Sequence, residues 1–377
     1  MKQKELGIYI HIPFCKRKCY YCDFISYTNK CEKVEKYIEA VIEELNTYDF
    51  NTYNVTTIYI GGGTPSFIDS KYIVKIIDII KSKIKNNTTK FEDIEITIEV
   101  NPGTVNKRKL QDYKQAGINR LSIGLQSTNN KLLEEIGRIH TYEEFLESYK
   151  TATKEGFENI NVDLMLGLPK QTINDLKDSL NKIIELNPNH ISVYSLILEE
   201  STVLYQNVEK GLIKLPDEEL ERQMYWYVKN TLELKGYEHY EISNFAKKGK
   251  ESKHNLNCWE QKEYIGLGVA AHSYIDERRF ANTNKLEEYI INWKDKTIQE
   301  VQSQEDMKKE YMLLGLRKID GVSILSFKEK FGENPIFLFR KELEKLVEAE
   351  FVYIDGDFIK LTNKGLDFAN LVWEEFV

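Results

Sequence analysis

This sequence reads as an α/β protein with a parallel sheet, on three grounds. Short β-rich runs recur, an amphipathic helical stretch follows them, and reactive side chains gather where the runs stop. Strand–helix alternation implies right-handed crossovers between parallel strands. That leaves a barrel, whole or partial, or an open doubly wound sheet. In either, a site collects at the carboxyl ends of the strands.

The strands predicted in order are Gly7–Ile12, Thr56–Gly61, Ile94–Val100, Arg120–Leu125, Asn161–Leu166 and His190–Leu196. The stretch Val34–Leu45 keeps Val34, Tyr37, Ile38, Val41, Ile42 and Leu45 on one helical face, and Ser70–Ile84 follows Asp69 or Ser70 as N-cap. Past about residue 205 the pattern turns helical, then irregular around Phe245–Asn257. The tail predicts a helix over Met307–Leu316, a second beginning near Ser323–Ser326, a third over Phe337–Ala349, and a hairpin turning at Asp355-Gly356. Helices followed by a hairpin suggest a winged-helix-like module. From Glu305 onward, 11 Lys+Arg face 15 Asp+Glu, a net of −4 that is wrong for a phosphate backbone. The tail is therefore read as a structural or protein-contact domain. The division expected is 1–205, 206–300 and 301–377.

Bulk composition agrees with a soluble enzyme-like protein and against nucleic acid as a partner. Of 377 residues 41% are hydrophobic and 30% charged, with a net charge of −8. No signal peptide or membrane span is expected, since Met1–Leu6 reads MKQKEL and no apolar window is long enough. The five cysteines, an odd number with three clustered, do not resemble a secreted disulfide framework, so a cytoplasmic protein with reduced thiols is expected.

Those three, Cys15, Cys19 and Cys22, lie in "HIPFCKRKCYYCDF". A structural zinc site normally takes four ligands from paired segments, which fits poorly. Cuboidal iron–sulfur clusters are normally held by four thiolates, so three leave one iron without a protein ligand. An amine and carboxylate offered together by a small molecule could close that position. Other strand ends carry chemistry too. "YIGGGTPSF" holds Gly62, Gly63 and Thr64, where glycine permits close backbone approach and offers N–H groups. Glu99 ends a strand in "TIEVNPGT", where an acid could bind ribose hydroxyls. Gln126, Arg138 and Asp163 are polar residues in or beside apolar runs, and Arg138 could pair with a carboxylate. Gly266–Gly268, late in the chain, is a weak dinucleotide fingerprint without a βαβ frame. Gln126, Arg138 and Asp163 are each alone as readily structural as functional, whereas three glycines followed by Thr-Pro are more than a turn requires.

Taken together, the CxxxCxxC spacing and the glycine run resemble the radical S-adenosylmethionine superfamily. The resemblance implies a partial (β/α)6 TIM-like barrel of that type with a C-terminal helical, winged-helix-like domain. It also implies a 4Fe–4S cluster on Cys15, Cys19 and Cys22. S-adenosyl-L-methionine would chelate the open iron, and reduction of the cluster can split its sulfonium. The segments "GGGTPS", "IEVNP", "RLSIGLQS", "GRIHT", "VDLMLGLPKQT" and "KHNLNCWEQKEYIGLGVAAHSY" resemble the oxygen-independent coproporphyrinogen oxidase family over nearly the whole chain. Carried across, Tyr9, Tyr21, Gly62, Gly63, Thr64, Glu99, Gln126, Arg138 and Asp163 stand at positions that family uses around S-adenosylmethionine.

The oxidases carry CxxxCxxCxC, and here Phe24 occupies the last cysteine's place. That variant, with the late HNxxxW segment, is similar to the HemW group, regarded as haem chaperones. The resemblance implies haem as cargo, a haem-acceptor protein and an electron donor for the cluster, without coproporphyrinogen III oxidase activity. The alternatives are that decarboxylase itself and a zinc-bound interaction protein. His254 is the haem-ligand candidate, with His272 and His11 weaker. The group usually shows HNxxYW, and Cys258 stands here for the tyrosine, so its thiolate is a second candidate. Cys31 is read as incidental.

Overall fold

The computed structural model of the chain describes residues 3–377. Six strands follow one another as foreseen: β1 Lys4–Ile12, β2 Tyr53–Gly62, β3 Glu95–Val100, β4 Arg120–Gln126, β5 Asn159–Leu166 and β6 His190–Ser195. All five neighbouring pairs are parallel. Their crossovers carry helices α1 Val34–Thr47, α2 Ser70–Lys83, α3 Lys107–Ala116, α4 Asn130–Glu135, α5 Tyr142–Lys154 and α6 Ile173–Leu186.

The two parities of these strands do different work. Leu6, Ile8, Ile10 and Ile12 of β1, Ile96 and Ile98 of β3, and Leu121 and Ile123 of β4 are all fully buried in one core with the apolar faces of the helices. The alternate residues are polar: Thr57, Tyr59, Thr97, Glu99, Arg120, Ser122, Asn161, Asp163, His190 and Ser192. A doubly wound sheet, covered by helices on both faces, has near-continuous apolar strands instead. The strict alternation means that helices cover one face while the other encloses a polar interior, as in a barrel. Among the described residues the barrel stays open, because the sheet runs from one free edge to another.

The region after β6 adds strands to both edges. β7 Glu238–Glu241 and β8 Asn244–Ala246 extend the sheet beyond β6 in antiparallel fashion. β9 Glu263–Leu267 returns to pair in parallel with β1, and β10 His272–Ile275, β11 Arg278–Asn282 and β12 Lys296–Val301 continue antiparallel outward. Helices α7 Val203–Glu209, α8 Glu218–Leu234, α9 Lys253–Trp259 and α10 Leu286–Asn292 connect them. The stretch expected to be irregular, Phe245–Asn257, thus contains most of β8 and the start of α9. Each is too short to display a hydrophobic period. Buried Glu44 of α1 ties the added strands to the barrel, pairing with Lys296 at 2.5 Å and accepting from Asn282 at 2.9 Å and from Gly268 N–H at 3.0 Å.

The tail forms a second core around Met312, Leu316, Phe327, Leu343, Ile359 and Val372. Its helices are α11 Gln304–Gly315, α12 Ile324–Phe331, α13 Pro335–Leu338, α14 Arg340–Glu348, α15 Asn363–Asp367 and α16 Ala369–Glu374. The hairpin β14 Val352–Asp355 and β15 Phe358–Leu361 turns at Gly356, and the two-residue β13 Val322–Ser323 joins it. The expected single helix over Phe337–Ala349 is broken at Phe339, whose φ −104 and ψ 36 leave the helical region.

Candidate functional site

The cysteine loop leaves β1 and is closed at its neck. Cys15 N–H donates to Tyr27 O at 3.0 Å and Tyr27 N–H to Pro13 O at 2.7 Å. His11, buried beneath it, uses both ring nitrogens, one with Tyr9 hydroxyl at 2.9 Å and one with Ile25 carbonyl at 2.8 Å. The crown is pinned through Tyr20, whose N–H donates to Ile136 O at 3.0 Å and whose carbonyl accepts from Leu204 N–H at 2.8 Å. A long loop is thereby held to the end of β1, to the C-cap of α4 and to α7. All three cysteines are free thiols.

The glycine turn after β2 is committed differently from expectation. Gly62 N–H donates to Glu99 at 3.0 Å, Gly63 N–H to Ile12 O at 2.9 Å and Thr64 N–H to Phe14 O at 3.0 Å. These N–H groups therefore hold the cysteine loop and Glu99 in place. What the turn has left to offer is carbonyl oxygen, the acceptor that a protonated amine needs. Glycine is required here sterically: at Gly62, φ +108, a Cβ would meet the His11 ring at 2.4 Å, and at Gly63 it would meet Ile12 O at 2.9 Å.

Across the cavity, β4 carries a bulge between Gly124 and Gln126, and Gln126 sits at φ +71, a conformation uncommon for a side chain with a Cβ. Arg138, nine-tenths buried, donates to Gly124 O at 2.5 Å, to Asn101 Oδ1 at 3.0 Å and toward Cys19 Sγ at 3.7 Å. No carboxylate of the described residues pairs with it, and its buried Nε has no partner. Asn101 also donates to Thr64 hydroxyl at 2.9 Å, which in turn donates to Cys15 Sγ at 3.4 Å. Two buried carboxyls complete the wall. Burial, reinforced by the Asp163 charge, raises Glu99 to about 7 despite the hydrogen bond from Tyr59 at 2.9 Å. Burial also raises Asp163, against a hydrogen bond from Asn161 at 2.6 Å.

These groups share one cavity of about 370 Å3, lined by Cys15, Cys19, Cys22, Tyr21, Gly62, Gly63, Thr64, Glu99, Gln126, Arg138 and Asp163. Tyr9 is not in that lining; it lies deeper, stacked 6.3 Å from Tyr59 and supporting His11. Sequence reasoning passed over Asn101, Ser122 and Tyr194, which do line the cavity. Asn101 adjoins Glu99 in "EVNP", and Tyr194 shares the inward parity of β6, so both had a signal.

The residues fit a cluster. No three His, Cys, Asp or Glu side chains of the described residues converge tightly enough for a single ion. A cuboidal centre gives each thiolate its own iron and does not ask for that convergence. Burial pushes the Cys22 thiol up to about 11, helped by the neighbouring Cys19, and raises Cys15 as well, so metal must displace their protons. Thr64 and Arg138, aimed at sulfur, would stabilise the resulting negative charge.

The haem candidates stand elsewhere. His254 and Cys258 are four residues apart on α9, hence near one helix face. His254 is buried, accepting or donating with Thr57 hydroxyl at 2.9 Å and stacked 5.1 Å from Tyr59. Glu95 fixes the helix start, taking the N–H groups of Lys253 and His254 at 3.1 Å each. Burial lowers His254 to about 4 and raises the Cys258 thiol to about 11, so both are neutral near pH 7. In this conformation α9 packs the candidate ligand His254 against the barrel interior. His272 is exposed on β10, and Gly266 and Gly268 serve close packing, since a Cβ would meet His272 O at 2.1 Å or Tyr37 hydroxyl at 2.4 Å.

Comparison with known proteins agrees with this geometry. The profile described as Radical SAM superfamily matches residues 9–183, and that described as HemN C-terminal domain matches residues 302–368. A protein of Bacillus subtilis (strain 168), named heme chaperone HemW, is 40% identical over 98% of this chain and 98% of its own length. The same name belongs to relatives from Lactococcus lactis, 36% identical over 100% of this chain and 98% of its own length, and Escherichia coli K12, 32% identical over 100% and 99%. The chain belongs to the HemW family of radical SAM proteins. That family implies iron–sulfur and S-adenosylmethionine binding. In fold the chain is similar to the structure of the coproporphyrinogen III oxidase HemN from Escherichia coli, a radical SAM enzyme. The TM-score is 0.84 at 24% identity, over 99% of this chain and 90% of that one. No helix of the described residues is long and apolar enough to cross a membrane.

Proposed function

We propose that this chain is a haem chaperone of the cytoplasm, with Cys15, Cys19 and Cys22 holding a 4Fe–4S cluster and S-adenosylmethionine on the open iron. The observation that carries the reading is one cavity in which three free thiols meet the Gly62–Gly63 turn, Glu99, Gln126, Arg138 and Asp163. The three thiols would bind iron. The Gly63 region would accept from the ligand's amine, the partnerless Arg138 Nε would meet its carboxylate, and Glu99 or Asp163 would take ribose hydroxyls. Tyr21, half-buried within the cluster loop and in the cavity lining, would flank the adenine. When reduced, such a cluster supplies an electron to the sulfonium. Haem is the cargo, an acceptor protein receives it, and a redox protein feeds the cluster.

Support for a chaperone over an oxidase comes from Phe24, an unreactive ring where the oxidases carry a further cysteine. His254 and Cys258 remain the candidate axial ligands, and His254 would have to leave Thr57 and Tyr59 to serve. The test is anaerobic reconstitution with iron and sulfide followed by haem titration. The expected outcome is a brown protein that takes up haem stoichiometrically with a Soret band and does not decarboxylate coproporphyrinogen III. Anaerobic formation of protoporphyrinogen IX would favour the oxidase, and zinc in place of iron and sulfide would favour an interaction protein.

A further inference from the structure

Arg120, at the start of β4, carries a buried charge that no ion pair among the described residues uses. It has the inward parity that brings Ser122, two residues on, into the cavity lining, so it stands one layer below the ligand groups. Its strand neighbours are Thr97 of β3 and Asn159 of β5. The side chain is 2% exposed, its Nε has no partner, and the buried Thr97 hydroxyl beside it has none either. Its charge bears on Tyr59 of β2, Asp163 of β5, His190 of β6, Tyr240 of β7 and His254 of α9. That spread puts the guanidinium near the middle of the barrel interior. Burying a guanidinium without a paired carboxylate is costly, and an interior that only needed filling would be better served by an apolar side chain. The group also stays positive at every pH the protein experiences.

The two carboxyls above it are not equally placed to use that charge. Glu99 turns toward β2, where its two oxygens accept from Tyr59 hydroxyl and Gly62 N–H. Asp163 turns toward β4 and β5. It accepts from Asn161 at 2.6 Å, and from Ser122 only at 3.5 Å on either oxygen, which leaves it acceptor capacity. Burial raises Asp163 most strongly, and Asn161, Ser192, Arg120 and Arg138 oppose it, in that order. No cation acts comparably on Glu99. The other titratable groups facing Asp163 are Tyr21, Tyr59 and Tyr194, all held neutral by burial. Resting on the S-adenosylmethionine reading of the cavity, we propose that Arg120 is a positioning residue for that ligand: its fixed charge keeps Asp163 anionic, and Asp163 accepts the ribose hydroxyls. Arg138 is spent once the ligand's carboxylate engages it, so Arg120 is the cation left beneath the ribose. One cation thus divides two buried carboxyls into different roles.

The test measures S-adenosylmethionine affinity of the full-length, cluster-loaded chain by calorimetry between about pH 6 and 8. The wild type is compared with Arg120→Met, Arg120→Lys, Asp163→Asn and the double variant Arg120→Met/Asp163→Asn, with cluster iron measured in each. Arg120→Met is expected to bind roughly tenfold more weakly at the acid end and to recover as pH rises, because Asp163 then takes up a proton within that range. Arg120→Lys keeps the charge and is expected to follow the wild type. Glu99 titrates in all of these profiles, so the difference between them reports Asp163. Asp163→Asn is expected to bind weakly at every pH, and adding Arg120→Met to it should change affinity by less than about twofold. An Arg120→Met chain with wild-type affinity throughout would overturn the positioning role and leave the S-adenosylmethionine reading standing. So would equal weakening at every pH in both Arg120 variants, the mark of a merely structural residue. A cluster-loaded wild type that binds no S-adenosylmethionine would end both. If Arg120→Met loses its cluster, difference infrared spectra of the ligand-bound wild type against Asp163→Asn decide. An ionised Asp163 carboxylate is expected there, and a protonated one would overturn the proposal.

Discussion

The cavity at the carboxyl ends of the strands and the α9 segment at their base are both rich in His, Cys, Glu and aromatic side chains, yet they are finished to different degrees. Around α9, Glu95 takes the first two helical N–H groups, Thr57 meets His254, and Tyr59 stacks upon it. In the cavity, Arg138 keeps a buried partnerless Nε, Gln126 holds a left-handed backbone, and two carboxyls sit with their pKa values raised by burial. Around His254 the polar groups satisfy one another, although Trp259 at the far end of α9 keeps a buried Nε1 without a partner, and that packing has been built for stability. A region that leaves them strained and half-partnered is waiting for a ligand to complete it.

The sharpest way to break that contrast is Cys19→Ser. It removes one of three cluster ligands and is expected to abolish iron and sulfide retention while leaving far-ultraviolet circular dichroism unchanged. Retention of a full cluster would mean that the loop is not its holder. The next effect is on pH dependence. Glu99 has a folded value of about 7 against an ordinary 4.5, so the folded chain holds this proton more tightly than the unfolded one. Its contribution to stability is complete below pH 4.5, falls as pH rises to 7, and is flat above. Denaturant unfolding of the metal-free chain should therefore show wild type losing at most ~3 kcal/mol relative to Glu99→Gln across that window. Parallel curves would remove Glu99 from the unfinished side of the comparison. Smaller still is His254→Ala, expected to cost about 2 kcal/mol of stability through the lost ring and the orphaned Thr57 hydroxyl. Its cluster content should be unchanged. A weakened Soret band in this variant would support His254 as the axial ligand, and an unchanged band would take it out of the haem site.

The sequence made the six strands of the barrel legible because each alternates apolar and polar residues over a full strand and ends at a turn or a motif. It made most of the cavity legible for the same reason: Glu99, Gln126 and Asp163 all lie at or near strand ends. What it did not carry is partnership. Nothing in "GGGT" says that its N–H groups are spent on Glu99, Ile12 and Phe14. The bulge that turns Gln126 over depends on its pairing with β5, and the return of β9 to β1 spans most of the chain. The burial of His254 depends on Glu95, 159 residues away in sequence, reaching the start of a seven-residue helix. Short elements and long-range contacts have no local period to read.

The central claim is that three thiolates leave an iron for S-adenosylmethionine to grip. Electron paramagnetic resonance of the reduced, reconstituted chain, with and without S-adenosylmethionine, tests it most directly. A cubane signal whose g-values shift when the molecule is added is the predicted result. A signal indifferent to S-adenosylmethionine, or no iron–sulfur signal in a zinc-loaded protein, would contradict it.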